Sequence, residues 1–377
     1  MKYHVLNCLL LYVLVLVPSS VAAQVTEDFY NPRGNLHSFG KGELRSASIS
    51  FGDLDGDGDL DVVIANGRHW PDQNEVFLNN GEGRFMVAYD LGFFRSTTYA
   101  TELGDLDGDG DLDVATANDR APNRLFFNDG KGGFSEVGTF GVDNSPSRNL
   151  TLADMNGDGA LDLILTNRGA ANELCLNDGK GNFSEVISFG SADDSTIDVV
   201  AHDVDQDGDK DLVLANRDGQ QNYIYFNENM DFSRRQAFGT GTDETRSVLV
   251  VDLNGDELVD LVTGNINEPN RVYLQSRNGN FTEGIALDTL ADVTYSLDAA
   301  DYDLDGDMDI VVGNARMPNR LYKNLGDGRA FEVRLLSEQP YNTYDILFGD
   351  LTGDGFPEIM EANSEHLNVF YVNRVGQ

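Results

Sequence analysis

The chain has 377 residues, 64 of them Asp or Glu against 26 Lys or Arg, for a formal net charge of −38 at pH 7. That balance repels phosphate backbones and anionic bilayers, which excludes nucleic acid and membrane surfaces as generic partners and suits a cation-binding protein. Of two cysteines, only Cys175 lies beyond the N-terminal segment, so a mature chain has no intrachain disulfide.

Residues 1–23 carry Lys2, an apolar stretch from Val5 to Val17 and the small-residue run SSVAA, the three parts of a secretory signal, and predict cleavage after Ala23. The apolar stretch falls short of the roughly 20 residues of a bilayer span, and Cys8 lacks the setting of a lipid-anchored cysteine. Residues 24–377 read as one domain, secreted or, in a bacterium, periplasmic, with no membrane span after cleavage. Cys175 takes the slot filled by Phe126, Tyr273 and Tyr322 in other repeats and is expected to be a buried apolar residue.

An acidic stretch recurs along the rest of the chain: DLDGDGDLD from Asp53 and Asp105, DMNGDGALD from Asp154, DVDQDGDKD from Asp203, DLNGDELVD from Asp252, DYDLDGDMD from Asp301 and DLTGDGFPE from Asp350. The first step is 52 residues and the others are 49. Each copy sits among short runs rich in Val, Ile, Leu, Tyr and Phe, punctuated by Asn, Asp and Gly, which read as four strands per unit. The expected fold is all-β, a seven-bladed β-propeller of four-stranded antiparallel blades. The last unit stops at Gln377 before its fourth strand, and Phe39-Gly40 matches Phe140-Gly141, Phe189-Gly190 and Phe238-Gly239, so an N-terminal strand is expected to complete the last blade.

The acidic loops, the Phe-Gly pairs and the repeat length resemble the FG-GAP (VCBS) repeat family, the seven-bladed propellers of integrin α-subunits, some fungal lectins and many exported bacterial proteins. The Gly-Ala-Pro element of that family is absent. The resemblance implies the same fold and places ligands on the face opposite the acidic loops.

Carboxylates at positions one, three, five and nine, a Gly at six and a carbonyl at seven are what a hard cation with six or seven oxygen ligands requires, and the oxygen-rich set favours Ca2+ over Mg2+ and transition metals. Strand flanks and closure at nine, not twelve, set these loops apart from EF-hands. The candidate metal positions are Asp53, Asp55, Asp57, Asp59 and Asp61; Asp105, Asp107, Asp109, Asp111 and Asp113; Asp154, Asn156, Asp158, Ala160 and Asp162; Asp203, Asp205, Asp207, Asp209 and Asp211; Asp252, Asn254, Asp256 and Asp260; Asp301, Asp303, Asp305, Asp307 and Asp309; and Asp350, Thr352, Asp354 and Glu358. Up to seven Ca2+ ions are expected. The loops from Asp252, where Glu257 replaces the Gly, and from Asp350, with Thr352 and Pro357, are expected to bind weakest.

The opposite end of each blade collects arginines: Arg68, Arg120, Arg168, Arg217 and Arg316 after the second strands, and Arg45, Arg95, Arg148 and Arg246 before or at the first. Ala47, Tyr99, Arg148, Ile197, Arg246, Tyr295 and Tyr344 stand six residues before their loops, near the expected axis. The blade 1 segment NGRHWPDQN is three residues longer than most equivalents and carries His69 and Trp70, the only Trp. Arg and aromatic groups together suit a carboxylated or sulfated sugar, so Arg68, His69, Trp70, Arg120, Arg148, Arg168, Arg217, Arg246 and Arg316 are candidate ligand contacts. The arginines could instead bridge neighbouring blades.

Two functions follow. One is a secreted, calcium-binding, lectin-like or adhesive module, monomeric, whose partner is an anionic glycan or an extracellular protein. The other is a polysaccharide lyase acting on a uronate by β-elimination, with His69, Tyr99, Tyr295, Tyr344 and Arg148 as its catalytic set. His202, next to Asp203, reads as structural, and Asn149, Asn182 and Asn280 are glycosylation sequons.

Overall fold

The computed structural model describes residues 30–33 and 36–374; the expected signal segment and cleavage after Ala23 lie outside them. No helix occurs among the described residues, and none is therefore long and apolar enough to cross a membrane. Seven antiparallel sheets form the molecule, each opening with an inner strand: Ser46–Gly52, Thr98–Gly104, Ser147–Ala153, Thr196–His202, Thr245–Val251, Thr294–Ala300 and Thr343–Gly349. Each inner strand packs against the next, and the seventh against the first, closing a ring.

The second strands explain the apolar runs. Asp61–Asn66 and its six counterparts are buried at every residue, because the neighbouring blades cover both faces. Seven hydrophobic clusters result, one between each pair of adjacent blades. Cys175 lies in one of them, fully buried opposite Leu163, as expected for an apolar residue.

Leu36–Phe39 completes the seventh blade as predicted, pairing antiparallel with Asn368–Tyr371. Phe39 is buried and packs its ring against Phe77, Phe85 and Phe370, joining the first blade to the last. A fifth strand, Tyr30–Arg33, which the sequence pattern did not predict, pairs outside it. Pro32 is compatible with such an edge position, since Pro offers no N–H to a further strand. The Phe-Gly pairs mark a forced turn: Gly141 has φ 69°, and a Cβ there would stand 2.7 Å from Glu173 Oε2.

Each inner strand carries a register shift between its first and third residues. A bulge of this kind re-aims the side chains beyond it. Residue two of every inner strand, and residues three and five of six of the seven, therefore reach the axis, where they line a cavity of about 280 Å³. Side chains on the axis also serve the open edges of the inner strands. Asp345 Oδ2 accepts from the Ile49 N–H at 2.9 Å, Asp198 Oδ2 from the Val248 N–H at 2.9 Å, and Asp298 Oδ2 from the Phe348 N–H at 2.7 Å.

Candidate functional site

Every acidic loop has one local design. Asp53 Oδ1 accepts from the N–H groups of Gly56 and Asp57 at 2.8 and 3.1 Å, and Oδ2 from that of Gly58 at 3.0 Å, so the backbone curls around the first carboxylate. The ninth residue, Asp61, is fully buried and accepts from Leu54 N–H at 2.9 Å and from Asn79 N–H at 2.8 Å. Burial pushes the ninth-position carboxyl up to about 7 for Asp61 and Glu358 and about 6 for Asp113, Asp211, Asp260 and Asp309. A divalent cation nearby would draw those protons off.

Carboxylate oxygens come within 4.8 Å of one another in four groups: Asp53, Asp55 and Asp57; Asp105, Asp107 and Asp113; Asp203, Asp205 and Asp211; and Asp301, Asp303 and Asp305. All are hard oxygen donors, so the donor set fits a group 2 cation. The side chains of Asp59 and Asp111 turn toward Gly81 and Gly130, where a Cβ would meet them at 2.6 and 2.5 Å. Position seven thus leaves its carbonyl, not its carboxylate, for the loop.

Glu257 does adopt a left-handed backbone, φ 69°, where six loops have Gly. Position four is left-handed as well, and there Gln206 and Leu304 stand at φ 61° and 58°, two departures the sequence ranking did not weigh. Two loops are also neutralised in part by the protein itself. Arg234 Nη1 lies 2.9 Å from Asp205 Oδ2, and the Lys323 ammonium pairs with Asp303 and, at 3.2 Å, with Asp305.

At the other end of the blades, all seven residues predicted near the axis line the cavity: Ala47, Tyr99, Arg148, Ile197, Arg246, Tyr295 and Tyr344. Gly67, at φ 105°, lets the blade 1 segment turn tightly, since a Cβ there would meet the Ser96 carbonyl oxygen at 2.2 Å. That turn carries Arg68 over the rings of Tyr344 and Tyr295, 3.5 and 5.1 Å from their centroids, with Nη2 3.4 Å from the Tyr295 hydroxyl. Arg246 lies 5.0 Å from the Tyr295 ring. Arg148 stacks 4.5 Å from the Tyr99 ring, and the Tyr99 hydroxyl stands 3.0 Å from His69 Nδ1. Burial would raise the Tyr295 phenol, but Arg68 and Arg246 outweigh it and hold the phenol below its ordinary value. Burial, with Arg68 and Arg148, lowers His69.

The FG-GAP-like repeat model matches residues 53–116, 105–165, 154–214, 203–263, 252–312 and 301–360. The chain belongs to the FG-GAP-like repeat family. Its fold is similar to that of BBS1N in two crystal structures of the complex with ARL6DN, one soaked with mercury and one with lead. The TM-scores are 0.61 and 0.59, at 12% identity in each case, over 94% of this chain and 98% of that one. No curated protein matches the chain.

Within this FG-GAP propeller the predicted arginines fall into three groups. Arg148 pairs with Asp119 at 2.8 Å, Arg168 with Asp218 at 2.9 Å, Arg217 with Glu244 at 3.8 Å and Arg45 with Glu365 at 3.2 Å. All four pairs bridge neighbouring blades, as the alternative reading held. Arg68 and Arg246 form no ion pair among the described residues, and Arg68 Nε is buried without a partner. Arg95, Arg120 and Arg316 are exposed, and Trp70 is 64% exposed. Of the sequons, Asn182 and Asn280 are exposed, whereas Asn149 lines the axial cavity and donates to Asp198. The sequence reading missed the axial carboxyls Glu102, Asp198, Asp298 and Asp345.

Proposed function

We propose that this propeller is a secreted, calcium-stabilised binding module, lectin-like or adhesive, that recognises an anionic glycan or an anionic site on an extracellular protein at its axial mouth. The observation that carries the reading is Arg68 and Arg246 both about 5 Å from the Tyr295 ring, two guanidinium groups with no ion-pair partner among the described residues in a protein of charge −38. Guanidinium groups take carboxylate or sulfate by paired hydrogen bonds, and the exposed Trp70 ring offers a sugar a stacking face. Calcium fits the loops at the other end, where it fastens the ring without meeting the ligand. BBS1N, a propeller of similar fold crystallised with ARL6DN, accords with a protein partner for this architecture. An array of sulfated, uronate-bearing and neutral glycans tests it: binding confined to anionic members and lost in Arg68→Gln supports the reading, and binding indifferent to ligand charge overturns it.

One observation favours a second reading. The Tyr99 hydroxyl with His69 Nδ1, near a lowered Tyr295 phenol, supplies the proton-transfer groups that β-elimination from a uronate needs. Unsaturated product, followed by ultraviolet absorbance with uronate polysaccharides and lost in His69→Ala, would establish a lyase.

A further inference from the structure

The axial cavity has unlike ends. Its mouth is cationic and aromatic, with Arg148, Arg246, Tyr99, Tyr295 and Tyr344 in the wall and Arg68 above. Deeper, on the same inner strands, the wall carries Asp198, Glu102, Asp298 and Asp345. Three of these carboxylates are committed to the ring: Asp198, Asp298 and Asp345 each accept a backbone N–H of a neighbouring inner strand. Asp198 further accepts from Asn149, and Asp345 from Ser296 Oγ at 2.8 Å.

Glu102 is different. It faces the cavity, is largely enclosed by protein, and accepts no hydrogen bond from any described residue. Its equivalents on the other inner strands are Ser50, Thr151, Val200, Leu249, Asp298 and Leu347, so the repeat does not require a carboxyl at this position in every blade. An unpaired carboxyl in such a place is costly unless something meets it. Fold maintenance does not account for it.

We infer that the axial cavity takes a small zwitterion, an ω-amino carboxylate in chemical class, with its carboxylate held by Arg68 and Arg246 at the mouth and its ammonium donated to Glu102 below. This rests on the mouth being an anion site, and adds a second, cationic requirement to it. The dimensions agree. Tyr99 and Glu102 are three residues apart on one strand, a depth of roughly 8–10 Å at the usual rise per residue, and the cavity of about 280 Å³ stands just below the usual range for drug-sized ligands, as suits a smaller one.

Titration calorimetry of the calcium-loaded full chain with 6-aminohexanoate, hexanoate and hexylamine tests the assignment. The zwitterion is expected to bind at least about tenfold more tightly than either single-charge probe, the scale of one charge-assisted hydrogen bond. Glu102→Gln, nearly isosteric and free of any hydrogen bond that folding uses, should reduce 6-aminohexanoate to the affinity of hexanoate while leaving hexanoate unchanged. Arg68→Gln should weaken both. Equal binding of hexanoate and 6-aminohexanoate, or a zwitterion preference that survives Glu102→Gln, overturns the inference and leaves the anion site standing. Failure of all three probes, with anionic glycans still bound, also overturns it. Loss of anionic-glycan recognition itself would instead remove the reading beneath it.

Discussion

Asn128 Nδ2 donates to the Leu54 carbonyl oxygen at 2.9 Å, reaching from the second blade into the acidic loop of the first, while the Asn128 N–H donates to Asp113 of its own loop at 2.9 Å. The same pair of bonds recurs around the ring from Asn79, Asn177, Asn227, Gln275, Asn324 and Asn373. One side chain thus ties two consecutive loops together. Asn128→Ala removes the bonds to the Leu54 and Leu112 carbonyl oxygens, the former keeping its Gly132 N–H donor, and should cost about 1–3 kcal/mol of stability at the usual net worth of two hydrogen bonds. Denaturant unfolding at saturating calcium measures it, and a loss under a few tenths of a kcal/mol would contradict the linkage.

Metal dependence should differ among the loops for reasons beyond carboxylate count. Excess chelator is expected to lower the melting temperature of the whole propeller, because binding energy in these loops is folding energy. Asp105→Asn should weaken calcium binding more than Asp350→Asn, since the latter loop already carries Thr352 and Pro357. Lys323→Gln should tighten the blade 6 site by removing the ammonium that pairs with Asp303 and Asp305. Calcium calorimetry on the three variants checks the order; an unchanged or weaker isotherm for Lys323→Gln counts against the competition.

The axial carboxyls give stability a pH dependence of definite sign. Burial, then Asp345 and Asp198, raises Glu102 to about 8, and burial raises Asp298 to about 7 and Asp345 to about 6. The folded state holds these protons where the unfolded chain, titrating near its ordinary carboxylate values, has released them. Their contribution is complete below about pH 4 and is lost as pH rises through 6 to 8. At saturating calcium, Glu102→Gln should match the parent protein at pH 5 and melt higher at pH 8. Parallel melting curves for the two proteins across that range would refute this.

Trp70 is the only tryptophan and is 64% exposed, beside the residues of the mouth. A bound ligand that covers it should shift its fluorescence to the blue without any label. Trp70→Ala should alter stability by no more than about 0.5 kcal/mol, as expected of an exposed side chain, while reducing affinity. A ligand that binds with no change in Trp70 emission would place the contact elsewhere on the face.

Much of this architecture was legible in the chain because it is written seven times. The loop spacing fixed the blade count, the Phe39-Gly40 match located the closing strand, and counting back six residues found the axial positions. Glu102 escaped because the bulge in Thr98–Gly104 breaks strict alternation: counting by twos from Tyr99 leads to Thr101. Arg68 was singled out by its insertion, but its seat on Tyr295 and Tyr344 joins residues more than 200 positions apart, which no local pattern records. Lys323 and Arg234 were missed as loop partners for a similar reason, since each lies outside the acidic loop it neutralises.

The pairing of Leu36–Phe39 with Asn368–Tyr371 makes the ring a clasp whose two halves lie more than 300 residues apart along the chain. Until both are present, the seventh blade lacks a strand and Phe39 has no Phe370 to cover it. Closure therefore waits for both halves, and the unclasped chain presents an open sheet edge in the meantime.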